Sequence, residues 1–363
     1  MVNDLKEMIL AFDPMIPVDE ASTPPSSWYV SPTFLDWEYA TVFNRSWIAV
    51  GAAQQVSAPG AYLAGQVGHE PFVVVRDQAN QLRAFYNVCR HHAACLVEGQ
   101  GKIQQFACPY HGWKYALDGR LTKAPQLGAI KNFDPSAFGL KALRVVAWHG
   151  IIFIHFGEPI AGPAAQWPIL DERLSRSKTD HLQFVERRSY ALECNWKVFC
   201  DNYLDGGYHV ALLHPALGGQ LDLSGYQTEV FSGYSIQSAA ATKDGHARLG
   251  SGALYGFVYP NLMINRYGPI MDVNVVMPTG PDSCRVDFDF FFDPATLGQD
   301  TFVRESIQKS EDVQREDMQV CRSVQRGLRS SAYDVGRYAP RLEQGMHAFH
   351  CDLARDLRRG MQP

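Results

Sequence analysis

From Trp47 to about Phe156 the chain is a succession of short apolar runs broken by glycine and polar turns: PFVVVRD, LRAFYNVC, IQQFACPY, GWKYALDG and VVAWHGIIFIHF. Runs of this length bounded by turn formers predict a small β-rich module. GEPIAGPAAQWP marks its end. Beyond that loop, strand-like stretches (HLQFVERRSYAL, YGFVYPNLMINRY, CRVDFDFFFD) alternate with helical ones (NWKVFCDNYL and most of 300–330). The mixture predicts an α+β domain built on an antiparallel sheet. Ahead of both, STPPSSWYVSP is rich in turn formers and predicts a surface arm over roughly the first 30 residues. Three stretches result: 1–45, an arm and helix packing on the last domain; 46–158, the β module; and 159–363. No internal repeat or low-complexity tract interrupts them.

Composition narrows the class. The chain has 363 residues, 46% hydrophobic and 20% charged, with a formal net charge of −5. These are values for an ordinary globular protein, and no basic face for nucleic acid or anionic lipid stands out. No run of about 18 apolar residues predicts a membrane span. The N-terminus, MVNDLKEMILAFDP, lacks the basic and apolar regions of a secretory signal. Eight cysteines spread over this length do not make the dense framework of a small secreted domain. A reducing compartment follows as the expectation, either cytoplasm or, for a mature chain, plastid stroma.

Chemistry concentrates in NVCRHHAACLVEGQGKIQQFACPYHGWKY, which holds C-x-H, sixteen intervening residues, and C-x-x-H. Cys89, His91, Cys108 and His111 suit either one tetrahedral zinc or a Rieske [2Fe–2S] cluster, with two Cys on one iron and two His on the other. Zinc sites usually group Cys with Cys and His with His, whereas each loop here supplies one of each. Both loops also carry small residues (HHAAC, PYHGW) that let backbone N–H groups approach cluster sulfurs. The cluster is the better reading.

A second constellation lies in NWKVFCDNYLDGGYHVALLHP. His209 and His214 are five apart, about 140° round an ideal helix, so they would splay. Both reach one metal only if the helix ends or distorts near Gly206–Gly207, which glycine allows. Two His and a carboxylate with open positions make the facial triad of non-haem Fe(II) oxygenases; the plainer alternative is a pair of surface histidines. In EDVQREDMQVCRSVQRGL, Val313, Val320, Val324 and Leu328 define an apolar stripe at helical spacing, and Asp317 falls on it. A buried carboxylate needs a cation or hydrogen-bond donors. Completing the iron site is the sharper use, pairing with a buried Arg the plainer one. Glu316 and Asp312 project off the stripe toward solvent.

Together these seven residues resemble the large subunit of Rieske non-haem iron oxygenases. TPPSSWY, CPYHGWKY, NWKVFCDNYLDGGYHV, YPNLMINRYGPIMD and VQRGL extend the resemblance, in order and spacing, to the plant-type choline monooxygenases. It covers nearly the whole chain. The resemblance implies an N-terminal Rieske β domain and a helix-grip catalytic domain. It also implies a head-to-tail homo-oligomer, usually a trimer, in which the cluster of one subunit serves the mononuclear iron of its neighbour. In such a ring Asp205, just before the first iron histidine, bridges the two sites, with Asp201 as the alternative and helix capping as the plain reading. Asn202 stands near the iron. His92 occupies a position where the family commonly has Arg. Respiratory-chain Rieske proteins carry an additional cysteine pair; here Tyr110 replaces one member, which leaves Cys95 as a buried small hydrophobe.

No GxGxxG fingerprint appears, so electrons come from an external ferredoxin or flavin reductase. The implied reaction uses O₂ to hydroxylate choline to betaine aldehyde hydrate. The alternative is oxidative N-demethylation of another quaternary amine (glycine betaine, carnitine or proline betaine). A different class altogether is an electron-transfer Rieske protein or a zinc-stabilised binding module. A quaternary ammonium has no N–H and is held by aromatic faces. Tyr203, Phe257 and Tyr259 are the substrate-pocket candidates, among a wider set of Tyr208, Phe231, Tyr234 and Tyr267.

Overall fold

The computed structural model describes residues 2–128, 130–158 and 161–361. The chain divides into two compact units, Asn44–Pro163 and the combination of Met1–Phe43 with Ala164–Pro363. The sequence divides it after residues 45 and 158.

In the smaller unit, a seven-stranded sheet runs in the order Ile48–Ala52, Ile151–His155, Ala142–Trp148, Leu82–Tyr86, Glu70–Arg76, Ala61–Val67, Gln100–Lys102. A second sheet joins Phe106–Ala107, Lys114–Tyr115 and Leu121–Lys123. Val73, Val75, Phe85, Phe106, Trp113 and Tyr115 form one buried cluster that also takes in Cys89 and Cys108. The strand runs read from the sequence thus supply the floor under both Cys/His loops.

The larger unit is built on a seven-stranded antiparallel sheet. Its order is Gln183–Leu192, Ser283–Phe292, Ile270–Gly280, Leu262–Tyr267, Gly252–Val258, Tyr234–Ala240, Gln227–Phe231. The two strands nearest in sequence to the His pair therefore stand at opposite edges. The connection 193–226 must cross the sheet, and it carries helix Trp196–Tyr203 and both iron-candidate histidines. That helix begins at Asn195, whose Oδ1 accepts from Lys197 N at 3.0 Å, a capping bond that satisfies one free donor of the first turn. It packs against helix Asp300–Leu328 and strand Ile270–Gly280.

Much of the first 30 residues is exposed, as a surface arm would be, but two aromatics within the turn-rich stretch are buried and anchor it. Trp28 and Tyr29 are 1% and 4% exposed. The Trp28 indole donates to Met8 O (2.7 Å) and Tyr29 Oη to Asp201 Oδ2 (2.8 Å). Two large aromatics outweigh the surrounding turn formers, because burying each removes well over 100 Å² from water. Helix Pro32–Thr41 adds Glu38, which pairs with Lys197 Nζ at 2.7 Å with both side chains fully buried. The Lys197 ammonium sits 5.2–5.5 Å from the ring centres of Trp196, Tyr29 and Phe34, which lessens the cost of burying a charge.

Candidate active site

The two Cys/His loops share one backbone plan. Ala93 N donates to Cys89 O (3.0 Å) and Gly112 N to Cys108 O (3.0 Å). The donors have φ of +61° and +72°, a left-handed turn that returns each loop toward its cysteine. Cys89 and Cys108 are 2% and 4% exposed free thiols. The His91 and His111 rings approach to 4.7 Å, and His91 stacks on Trp113 at 4.7 Å. His91 Nδ1 is buried with no hydrogen-bond partner, which is costly unless a metal takes it. Burial first, then His92 and His111, hold its pKa below the ordinary value, favouring the neutral form that ligates. Tyr115 Oη accepts from Arg90 N at 3.0 Å and lies 3.3 Å from Cys89 Sγ, leaving its proton for the sulfur. Two thiols, two imidazoles and an orphaned nitrogen fit a [2Fe–2S] cluster. Cys95 departs from expectation: it is exposed, because the neighbouring Leu96 takes the buried position.

In the larger unit, Gly206 and Gly207 have φ of +69° and +76°, and the chain breaks there after helix Trp196–Tyr203. His209 and His214 then flank a one-turn helix, Val210–Leu213, which brings their rings to 5.0 Å. Among the described residues, His209, His214 and Asp317 are the one group of three whose ligand atoms lie within 4.8 Å of one another. Asp317 Oδ1 is 3.0 Å from His214 Nε2 and 3.9 Å from His209 Nε2. Asn202 Nδ2 donates to the same oxygen at 2.8 Å. Each imidazole has its other nitrogen on a carboxylate: His209 Nδ1 to Asp205 Oδ2 at 2.6 Å, His214 Nδ1 to Glu316 Oε2 at 2.5 Å. This leaves both Nε2 atoms to the centre, the arrangement that orients metal-binding histidines. Burial opposes protonation of His214, but Asp317 and Glu316 outweigh it and raise its pKa. The donor set fits a divalent iron.

Asp205 also accepts from the backbone N–H groups of Gly207, Tyr208 and His209 at 3.0–3.1 Å. Asp201 faces elsewhere, held by Tyr29 Oη and by His350 Nε2 at 2.9 Å. Glu316 does not simply face water; its carboxylate reaches across to His214. Nor is the valine stripe the buried face of its helix, since Val324 is 45% exposed. Asp317 and Leu328 of the stripe are buried, but Gln314, Cys321 and Gln325 share that face with them. Polar residues survive there because they are bonded, as Gln325 is to Asn195 N (2.7 Å) and Tyr29 O (3.2 Å).

A cavity of about 140 Å³ opens on the triad. Tyr203 and Tyr267 line it, with Tyr226, Tyr255, Phe199 and Phe288, none of which the sequence singled out. Tyr203 Oη donates to Asn265 Oδ1 at 2.8 Å, and burial pushes its pKa well up. Phe257 and Tyr259 are not on the wall. Phe257 shares a strand face with Tyr255 but lies one pair further along, where Tyr203 (6.4 Å) and Phe349 (5.4 Å) cover it. Tyr259 packs on Phe349 at 6.3 Å. Phe231 and Tyr234 stack on each other at 4.7 Å, and Tyr208 is 58% exposed. Arg248 and the buried Asp272 are among the polar groups of the lining.

Residues 46–134 match the Rieske [2Fe-2S] domain and residues 179–358 the ring hydroxylating alpha subunit (catalytic domain). The chain belongs to the Rieske non-haem iron monooxygenases, whose cofactors are a [2Fe–2S] cluster and a mononuclear iron. It is 46% identical to the chloroplastic choline monooxygenase of Arabidopsis thaliana, over 98% of this chain and 88% of that one. It is 30% identical to the carnitine monooxygenase oxygenase subunit of Acinetobacter pittii, over 87% of each. Its fold is similar to the crystal structure of the quaternary ammonium Rieske monooxygenase CntA with L-carnitine (TM-score 0.82, 28% identity, 97% of this chain and 98% of that).

Proposed function

We propose that this chain is the oxygenase component that oxidises a C–H bond of a quaternary ammonium substrate, with His209, His214 and Asp317 as iron ligands and Cys89, His91, Cys108 and His111 as cluster ligands. The observation that carries the reading is the aromatic cavity opening directly on the His/His/Asp centre. When bound, the cluster supplies single electrons and the iron binds and activates O₂. The chain's own residues do the rest. Tyr203, Tyr226 and Tyr255 offer ring faces to a cation that has no hydrogen to donate. Asn202 and Glu316 hold Asp317 and His214 in place. Apolar walls exclude water from the reacting carbon.

Relatedness favours choline, giving betaine aldehyde hydrate; a second reading, oxidation of a carboxylated amine, is favoured by one residue treated below. Assembly as a head-to-tail trimer is part of the proposal. It is supported by Tyr110 (66% exposed) beside the cluster loops and by Leu212 (90%) and Tyr208 beside Asp205, apolar groups that such a contact would cover. Asp205 would then link His209 to a cluster histidine of the neighbouring copy. Electrons would come from an external ferredoxin or flavin reductase, and the compartment would be cytoplasm or plastid stroma. No helix among the described residues is long and apolar enough to cross a membrane.

The test is a single-turnover assay on pre-reduced, iron-loaded protein given O₂ with choline, glycine betaine or carnitine. Aldehyde or formaldehyde formed in step with cluster reoxidation upholds the reading. Reoxidation without product from any amine overturns it.

A further inference from the structure

One wall of the cavity carries a positive charge that the chemistry above leaves unused. Arg248, in the one-turn helix His246–Leu249, lines the cavity. Its Nη2 donates to Tyr267 Oη (3.1 Å), Ser310 Oγ (3.0 Å) and Ser306 O (3.4 Å). Its Cζ lies over the Tyr267 ring at 4.8 Å, and its Nε is buried with no partner. Among the described residues no carboxylate lies within 4.0 Å of it. Asp272 is linked to it only through Tyr267, whose hydroxyl donates to Asp272 Oδ2 at 2.7 Å. Burial raises the pKa of the Asp272 carboxyl, and its two oxygens are already taken by Tyr267 Oη and by Asn265 Nδ2 (2.6 Å), so it makes no direct bond to the guanidinium.

The backbone fixes this placement. Gly268 has φ of +45°, and a Cβ there would lie 2.3 Å from the Arg248 carbonyl oxygen. Gly268 N also donates to Leu249 O at 3.1 Å. Only a glycine lets the turn after strand Leu262–Tyr267 approach this closely and hold Arg248 over its ring. Ser310, which anchors the guanidinium, sits on the same helix as Asp317. Seven residues separate them, about 10 Å along the axis. The charge therefore stands at the end of the cavity away from the triad.

We infer that Arg248 receives a carboxylate, so that the preferred substrate is a zwitterion carrying a quaternary ammonium at one end and a carboxylate at the other. The inference rests on the quaternary-amine reading and deepens it. A guanidinium fork with an unfilled N–H matches a carboxylate in shape and charge. A simple cation such as choline meets like charge at the same place and fills nothing. With its carboxylate on Arg248, a zwitterion directs its ammonium end toward His209, His214 and Asp317.

Isothermal titration of the anaerobic holoenzyme tests this. Choline and glycine betaine share a skeleton and differ in CH₂OH against COO⁻; carnitine and γ-butyrobetaine extend the series in length. At least one zwitterion should bind ten times or more tighter than choline. Arg248→Gln should narrow that ratio by roughly ten- to a hundredfold, the loss expected for a charge-assisted contact. Arg248→Lys, which keeps the charge without the fork, should fall between. Should Arg248→Gln fail to fold, the wild-type ratio and Arg248→Lys decide. Choline binding as tightly as every zwitterion, or a ratio unmoved by the variants, overturns the inference and leaves the quaternary-amine reading standing. Absence of binding by all four amines removes both.

Discussion

Replacing Glu316 with alanine removes the carboxylate whose Oε2 lies 2.5 Å from His214 Nδ1 and leaves every member of the triad in place. A hydrogen bond to a charged group is worth about 1.5–3 kcal/mol when shielded. The Glu316 side chain is 42% exposed, so water replaces part of the contact and solvent screens the rest. That brings the expected loss to about 1.4 kcal/mol, or tenfold in Fe(II) affinity, the low end of the 10–100-fold range typical for groups that orient metal-binding histidines. The assay is chelator competition for Fe(II) on anaerobic protein, with the visible spectrum of the cluster as internal standard, since Cys89 and Cys108 belong to the other unit. Glu316→Gln keeps an acceptor for the imidazole N–H and should lie between wild type and alanine. Unchanged iron affinity in Glu316→Ala would refute the orienting role. A loss as complete as that of His214→Ala would refute the geometry differently, by making Glu316 a ligand itself.

Lys197→Met leaves Glu38 buried and unpaired, and should destabilise the fold by about 3–5 kcal/mol; adding Glu38→Leu should recover most of it in denaturant titrations, and no recovery would argue against the pair as the cause. Burial, opposed by Arg355, pushes the Asp352 carboxyl from 3.8 up to about 6. The folded state therefore keeps this proton longer than the unfolded chain, and wild-type stability falls as pH rises through that interval, by up to about 3 kcal/mol for two units. Asp352→Asn should raise Tm at pH 7.5 and change it little at pH 4; an equal change at both values would count against the shift. Tyr115→Phe deletes the hydroxyl 3.3 Å from Cys89 Sγ. Donors to cluster sulfurs stabilise the reduced, more negative state, so a redox titration should show a lower potential; an unchanged one would mean that the hydroxyl does not donate to the sulfur.

How far the sequence carries depends on how local each determinant is. Cys89, His91, Cys108 and His111 are legible because each pair sits within one tight turn, closed by Ala93 or Gly112 a few residues away. The break at Gly206–Gly207 is legible for the same reason, since five-residue spacing on an unbroken helix separates His209 from His214. Asp317 is found from a stripe whose valines prove only partly buried, because periodicity ranks apolar residues and overlooks bonded polar ones such as Gln325. Glu316 and Arg248 leave no local trace. Their partners, His214 and Tyr267, are 102 and 19 residues distant. Phe257 fails for a subtler reason: alternation gives the face of a strand but not the position along it at which a helix covers that face.

Strand order joins these separately legible pieces into one centre. Gln183–Leu192 and Gln227–Phe231 occupy opposite edges of the sheet, so the chain between them has to traverse its face, and it lays Asn202, Asp205, His209 and His214 along the way. Helix Asp300–Leu328 follows the strand Ser283–Phe292, which pairs with Gln183–Leu192, and packs against the start of that traverse. This places Asp317 opposite Asn202 and both histidines, and Ser310 two turns further along the same cavity. Asp317, proposed as an iron ligand, and Arg248, anchored on Ser310, are therefore spaced along a single helix. A substrate able to touch both must match that helix in length, which is why the glycine betaine to γ-butyrobetaine series is informative beyond charge alone: affinity should peak at one chain length and fall on either side.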